Sequence, residues 1–95
     1  MTAYPTYTHW SVCCEGRRAV LKRPHPFIGA QKVRYFSDWE RPVAVEVKIN
    51  GDQWLDLWFA ADAAVRATKD DHHVAIESFE PCPDNPTVLI LSAGS

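Results

Sequence analysis

The sequence predicts an α+β domain: a single antiparallel-rich sheet of five to six strands with one short helix, at about residues 60–69, packed on one face. Three stretches carry the prediction. Val43, Val45, Val47 and Ile49 alternate with Ala44, Glu46 and Lys48, the period-two pattern of a half-buried strand. Ala60 to Lys69 is rich in alanine, the strongest helix former. Thr87 to Ser92 is the most apolar run in the chain, and runs without alternation are usually strands covered on both faces, so it belongs in the middle of the sheet.

Asn50-Gly51 follows the valine strand and supplies residues that tolerate positive φ, as a hairpin turn requires. The returning strand is then read from Asp52-Gln53-Trp54-Leu55-Asp56-Leu57-Trp58-Phe59. A two-residue loop would set Asp56 in the middle of the valine face, where an unpaired charge is costly. A three-residue loop, 49–51 or 50–52, instead joins Leu55, Leu57 and Phe59 to that face, and leaves Trp54, Asp56 and Trp58 pointing away. A competing drawing makes Asp52 to Arg66 one helix, with Trp54, Trp58, Ala61 and Val65 near one stripe. It strands Leu55 and Phe59 among polar residues, which favours the strand.

Elsewhere the elements read in order. Thr6 to Cys14 alternates weakly, Glu15-Gly16-Arg17 looks like a turn, and Ala19-Val20-Leu21 a returning strand, together an N-terminal hairpin. Pro24-His25-Pro26 ends it, and Phe27 and Ile28 are expected to tuck under the sheet. Gln31 to Ser37 is a further strand, followed by the polar connection Ser37 to Pro42 that carries Trp39. In the helix, Ala61, Ala64, Val65 and Thr68 face the sheet, and Asp62, Arg66 and Lys69 face solvent. Asp70-Asp71 breaks the helix, His73 to Phe79 forms another strand, and Pro81 to Pro86 a stiff loop.

At 95 residues the chain is expected to be one domain spanning 1–95. Ten basic residues against twelve acidic give a net charge of −2, which lacks the electrostatic footprint of a nucleic-acid binder. Cys13 and Cys14 are adjacent and Cys82 is the third cysteine, which does not make a disulfide framework. The N-terminus lacks a basic segment followed by an apolar run, and no run approaches the roughly 20 apolar residues of a membrane helix. A cytoplasmic, reduced setting without membrane contact is the expectation.

Four groups of residues bear on function. Asp70, Asp71, His72 and His73 form an acidic and imidazole-bearing corner suited to acid–base work or ligand binding. Adjacent histidines on a strand point to opposite faces, however, so they do not readily share a metal. Cys13, Cys14, His9 and Cys82 lack the paired spacing of a zinc site and read as buried thiols. The aromatic set Tyr4, Tyr7, Trp10, Tyr35, Trp39, Trp54 and Trp58 is large for so short a chain, and tryptophan supplies both core area and interface anchors. The basic cluster Arg17, Arg18, Lys22 and Arg23, with Lys32 and Arg34, reads as a solvated edge that discourages pairing or as contacts for single-stranded nucleic acid. Phosphate loops, nucleophile elbows and dinucleotide fingerprints are absent.

The favoured expectation is a non-catalytic protein-binding or regulatory module. It docks a protein partner, or a second copy in a homodimer, through Trp39, Trp54, Asp56 and Trp58 on the sheet face away from the helix, with no cofactor and no metal. The alternatives are a small-ligand or metal-dependent enzyme using Asp71, His72 and His73, and an oligonucleotide binder using the basic N-terminal hairpin.

Overall fold

The computed structural model describes residues 6–12, 14–39 and 41–94. They form, in order, β1 (His9–Trp10), a 3-10 turn (Glu15–Arg18), β2 (Lys32–Ser37), β3 (Val43–Lys48), α1 (Trp54–Thr68), β4 (Ala75–Cys82) and β5 (Asn85–Gly94). Tyr4 and Cys13 lie outside the described residues. The strands make one sheet in the order β1-β4-β5-β2-β3, and α1 covers one face, the α+β arrangement the sequence implies. The sheet is mixed, a correction to the antiparallel-rich expectation. β2–β3 and β4–β5 are antiparallel, whereas β1–β4 and β2–β5 are parallel. Parallel neighbours need long connections: β1 reaches β4 through β2, β3 and α1, and β2 reaches β5 through β3, α1 and β4.

The valine strand is where the sequence puts it, but its hairpin partner is β2, with Val33 opposite Val47 and Tyr35 opposite Val45. The second arm expected at 53–59 is instead the first part of α1, which runs Trp54–Thr68. Two devices start the helix there. Asp56, its third residue, accepts the Gln53 N–H at 3.1 Å, the carboxylate half of a capping box. Leu21 and Arg23 carbonyls accept the N–H groups of Leu55 (2.8 Å) and Trp54 (3.0 Å), donors that would otherwise be orphans of the first turn. Gly51 stands just ahead at φ 137°, and a side chain there would strike the Asp56 carboxylate.

In helical period the buried residues are Trp54, Leu57, Ala60, Ala61, Ala64 and Val65, and the stripe expected to read as a strand resolves into a helix face. Asp62, expected in solvent, is 7 % exposed. Its Oδ1 accepts the Thr8 N–H (2.7 Å) and hydroxyl (2.6 Å), tying the N-terminal segment to the helix. Lys69 ends α1 in the left-handed region at φ 60°.

Three further expectations need correcting. The N-terminal hairpin does not form, because only His9–Trp10 is strand, beside β4, and Glu15–Arg18 is a 3-10 turn. The proline-rich stretch is no loop: β4 reaches Cys82 and β5 begins at Asn85, so only Pro83-Asp84 turns. Phe27 packs on the core, whereas Ile28 is 97 % exposed. β5 is central as expected, between β4 and β2, but Ile90 on its outer face is partly open to solvent.

The core lies between α1 and the sheet, with Leu57, Val65, Val33, Ile76 and Leu89 fully buried. At one end an aromatic pile closes it. Trp10 meets Trp54 (6.1 Å between ring centroids), Trp58 (5.5 Å) and Phe79 (6.3 Å), and Phe27 bridges Trp54 and Phe79. On the outer face Arg34 Nε and its terminal nitrogen each lie 2.8 Å from Glu46 Oε2.

Candidate functional site

Trp54, Asp56 and Trp58 do not form a surface set. Trp54 is 6 % exposed, Trp58 is half-buried against Trp10, and Asp56 serves the helix start. A helix points residues 54 and 58 to one stripe, and in this chain that stripe faces inward. Of the four residues expected to dock a partner, Trp39 alone is exposed, at 40 %.

Trp39 joins the acid–imidazole corner instead. Its ring stacks on His72 at 4.3 Å with 4° between planes, and His73 meets both rings edge-on. The two histidines touch because they precede β4 and lie off any strand, contrary to the opposite faces expected of strand neighbours. The acid at the centre is Asp70, while Asp71 is exposed. Asp70 Oδ1 accepts the backbone N–H of His72 and of His73, both at 3.0 Å, the Asx turn an aspartate makes with the residues that follow it. Oδ2 accepts the hydroxyls of Ser37 (2.6 Å) and Tyr35 (3.1 Å) and lies 2.9 Å from His73 Nδ1. As the carboxylate only accepts, that ring nitrogen carries the proton.

Burial alone pushes the Asp70 carboxyl up. The hydrogen bonds from Ser37, His73 and His72 outweigh it and hold the group far below the ordinary carboxylate range. Tyr35, buried and beside that charge, is pushed up to about 12. A cavity of about 280 Å³ opens beside the corner, lined by Ser37, Asp38, Asp70, His73, Glu77 and Ser92 among others. Ser37 gives its hydrogen to Asp70 and takes the Trp39 N–H at 3.3 Å, so it is not set up as a nucleophile. Among the described residues no group of three or more histidine, cysteine, aspartate or glutamate side chains is placed to hold a metal ion. Cys14 and Cys82 are buried free thiols, and burial pushes Cys14 up, which makes a poor nucleophile.

The pH dependence of stability follows from these groups. His25 is 7 % exposed, and burial pushes it below its ordinary 6.5 against the pull of Asp52 and Asp56. A depressed histidine contributes stability that is complete above about pH 6.5 and declines as the pH falls through its folded value; Asp70 does the same from 3.8 downward. Tyr35 is the reverse case, complete below pH 10 and lost as the pH rises toward 12. Urea midpoints measured from neutral pH into acid will therefore fall gently at first and steeply below 3.8, and His25→Gln will flatten the upper limb.

The other feature that faces outward is the free edge of β3. Ile49 donates its N–H to Gln31 at 2.8 Å, and the register then turns the backbone groups of Val47, Val45 and Val43 toward β2. Ala44, Glu46 and Lys48 turn theirs away from the sheet, where no strand of the described residues lies. Beside this edge Val43, Val45 and Val47 are half-buried, Ala63 is exposed, and Phe59 is 44 % exposed. A cleft of about 160 Å³ runs between edge and helix, lined by Val47, Lys48, Asp56, Phe59 and Ala63 among others. Of the basic residues, Arg17 and Arg18 sit on the 3-10 turn, Lys22 and Arg23 are exposed, and Lys32 and Arg34 flank Glu46.

Fold and surface together define, over the described residues, a small α+β protein with a mixed five-stranded sheet, one covering helix and an open edge at β3. No family model, no curated protein and no solved structure matches the chain. None of its described helices is long and apolar enough to cross a membrane.

Proposed function

We propose that this protein is a non-catalytic docking module that takes a protein strand onto the edge of β3. Strand addition draws affinity from main-chain hydrogen bonds and specificity from neighbouring side-chain pockets, and the β3 edge offers both. The observation that carries the reading is the outward row of Ala44, Glu46 and Lys48 beside the Val47–Phe59 cleft. Natural sheets usually blunt such an edge with charges, a bulge, a proline or a cover; β2 and β3 pair here without a register shift, and the charges on the edge are one acid and one base, Glu46 and Lys48. The docking surface thus moves from the tryptophans to the valine strand, and the class of function stays.

Glu46→Pro removes an outward N–H from an edge strand, a position where proline is tolerated. Wild-type and Glu46→Pro protein of equal melting behaviour are used as bait in a lysate of the source cells. Strand addition predicts proteins retained by the first and lost by the second; identical retention excludes the edge.

A second reading rests on His73, whose ring is oriented by a buried carboxylate at the rim of the 280 Å³ cavity. It makes the corner a ligand site for a small cationic molecule facing Asp38 and Glu77. Amide shifts of His73 and Glu77 on titration with simple amines test it, and unmoved shifts at saturating amine exclude it.

A further inference from the structure

Resting on the reading of the β3 edge as a docking surface, we infer that its occupant is the β3 edge of a second copy, paired antiparallel about a two-fold axis at Val47. A strand that pairs with its own copy must set residues of the same face opposite each other, so the two numbers of each pair sum to an even total. Three registers use the body of β3, and the side chains choose among them. Centred on Val45, the pairing sets Lys48 against Pro42, which has no N–H to give. Centred on Glu46, it sets that carboxylate against its own copy, and like charges directly opposite are destabilising. Centred on Val47, it sets Glu46 opposite Lys48 of the second copy, twice by symmetry, with Val47 on Val47 and Val45 on Ile49. This register makes both charge pairs across the new junction ones of opposite sign.

The isolated chain shows why that pairing is wanted. Within one sheet Lys48 lies directly opposite Lys32, a like-charge neighbour. Glu46 binds Arg34 through Oε2, while its Oε1 is held only at 3.8 Å, by Lys32. A Lys48 ammonium arriving across the edge meets that second oxygen, and edge lysine, elsewhere a guard against pairing, becomes the selector of one partner and one register.

The helices fit the same geometry. α1 packs over both β2 and β3, so it lies beside the open edge. Two edges joined about a two-fold axis normal to the sheet then set the two helices next to each other on one face, where helices can pack. The residues on that flank are Phe59, half-exposed, and Ala63, whose small side chain permits close approach. Pairing therefore extends the sheet and closes the cleft beside Val47 in one step.

The test uses purified protein alone, by sedimentation equilibrium over a dilution series. Wild type is expected to sediment at twice the chain mass of 10.8 kDa and to dissociate on dilution. Lys48→Glu and Glu46→Lys each set like charges at two symmetric pairs, so each homodimer weakens by about 10- to 100-fold. Mixed in equal amounts, the two variants restore both opposite-charge pairs and form a heterodimer of wild-type affinity. A dimer indifferent to either substitution, or variants that weaken alone and fail to recombine, overturns the register. A monomeric wild type that still retains a host protein through the edge overturns the second copy and leaves strand addition standing. A monomer that retains nothing removes both.

Discussion

Asp70→Asn will lower the unfolding free energy by about 3 kcal/mol, the upper part of the range for leaving the hydrogen bonds of a buried polar group unmade. Asp70 is 1 % exposed and takes five polar contacts through its two oxygens, from Ser37, Tyr35, the His73 ring and two backbone N–H groups. Asparagine keeps the shape but presents one oxygen and one NH₂. Turned with its NH₂ toward the two backbone N–H groups, the amide sets donors against donors; turned the other way, it forces the Ser37 and Tyr35 hydroxyls and the His73 ring nitrogen to become acceptors. Either way the charge that made those hydrogen bonds strong is gone. The damage spreads because the cluster joins three parts: the end of α1, the β2 strand and the entry to β4. For a domain of this size the loss shifts the melting temperature down by more than about 10 °C. Asp71→Asn is the control, since a surface aspartate away from such features is worth within about 0.5 kcal/mol. Denaturant melts of the two variants decide it: equal midpoints would show that the buried carboxylate does not hold the corner.

The same residue shows how far the sequence could be read. A corner rich in acids and imidazoles was visible after the helix, and so was its place before a strand. Which of two adjacent aspartates turns inward was not, because the choice is made by Tyr35 and Ser37 on β2, remote in sequence. β2, β3 and β5 were legible for the opposite reason: alternation and apolar runs are local and survive any tertiary arrangement. The start of α1 was misread because Trp54-Leu55-Asp56-Leu57-Trp58-Phe59 alternates as a strand would. The signals that overrule it are a Gln53–Asp56 exchange and two carbonyls from Leu21 and Arg23. The parallel pairing of β1 with β4 is likewise a long-range choice with no local mark. Trp39 beside His72 joins two groups the sequence kept apart, and only the β2–β3 turn brings them together.

Trp54→Ala separates the docking surface read from the sequence from the one the fold presents. With the indole outward, as a strand at 53–59 would have it, the substitution would abolish association and leave the fold intact. With the indole inward it costs about 3–5 kcal/mol, the usual range for deleting a large core aromatic. The geometry gives the second result. Trp54 is 6 % exposed and its ring is enclosed by Trp10, His25 and Phe27 at 6.1–6.4 Å. It also opens the helix that Leu21 and Arg23 cap, so the cavity lies where the first turn is anchored and collapses poorly. Trp39→Ala removes one stacking partner from a half-exposed ring and costs about 0.5–1.5 kcal/mol. The measurement is circular dichroism in a urea series, with mass by light scattering at each point below the transition. A large fall in midpoint for Trp54→Ala alone, with association lost only where the fold is lost, fixes the indole in the core. Association lost from a fully folded Trp54→Ala protein would return the docking surface to the tryptophans and remove the β3 edge from consideration.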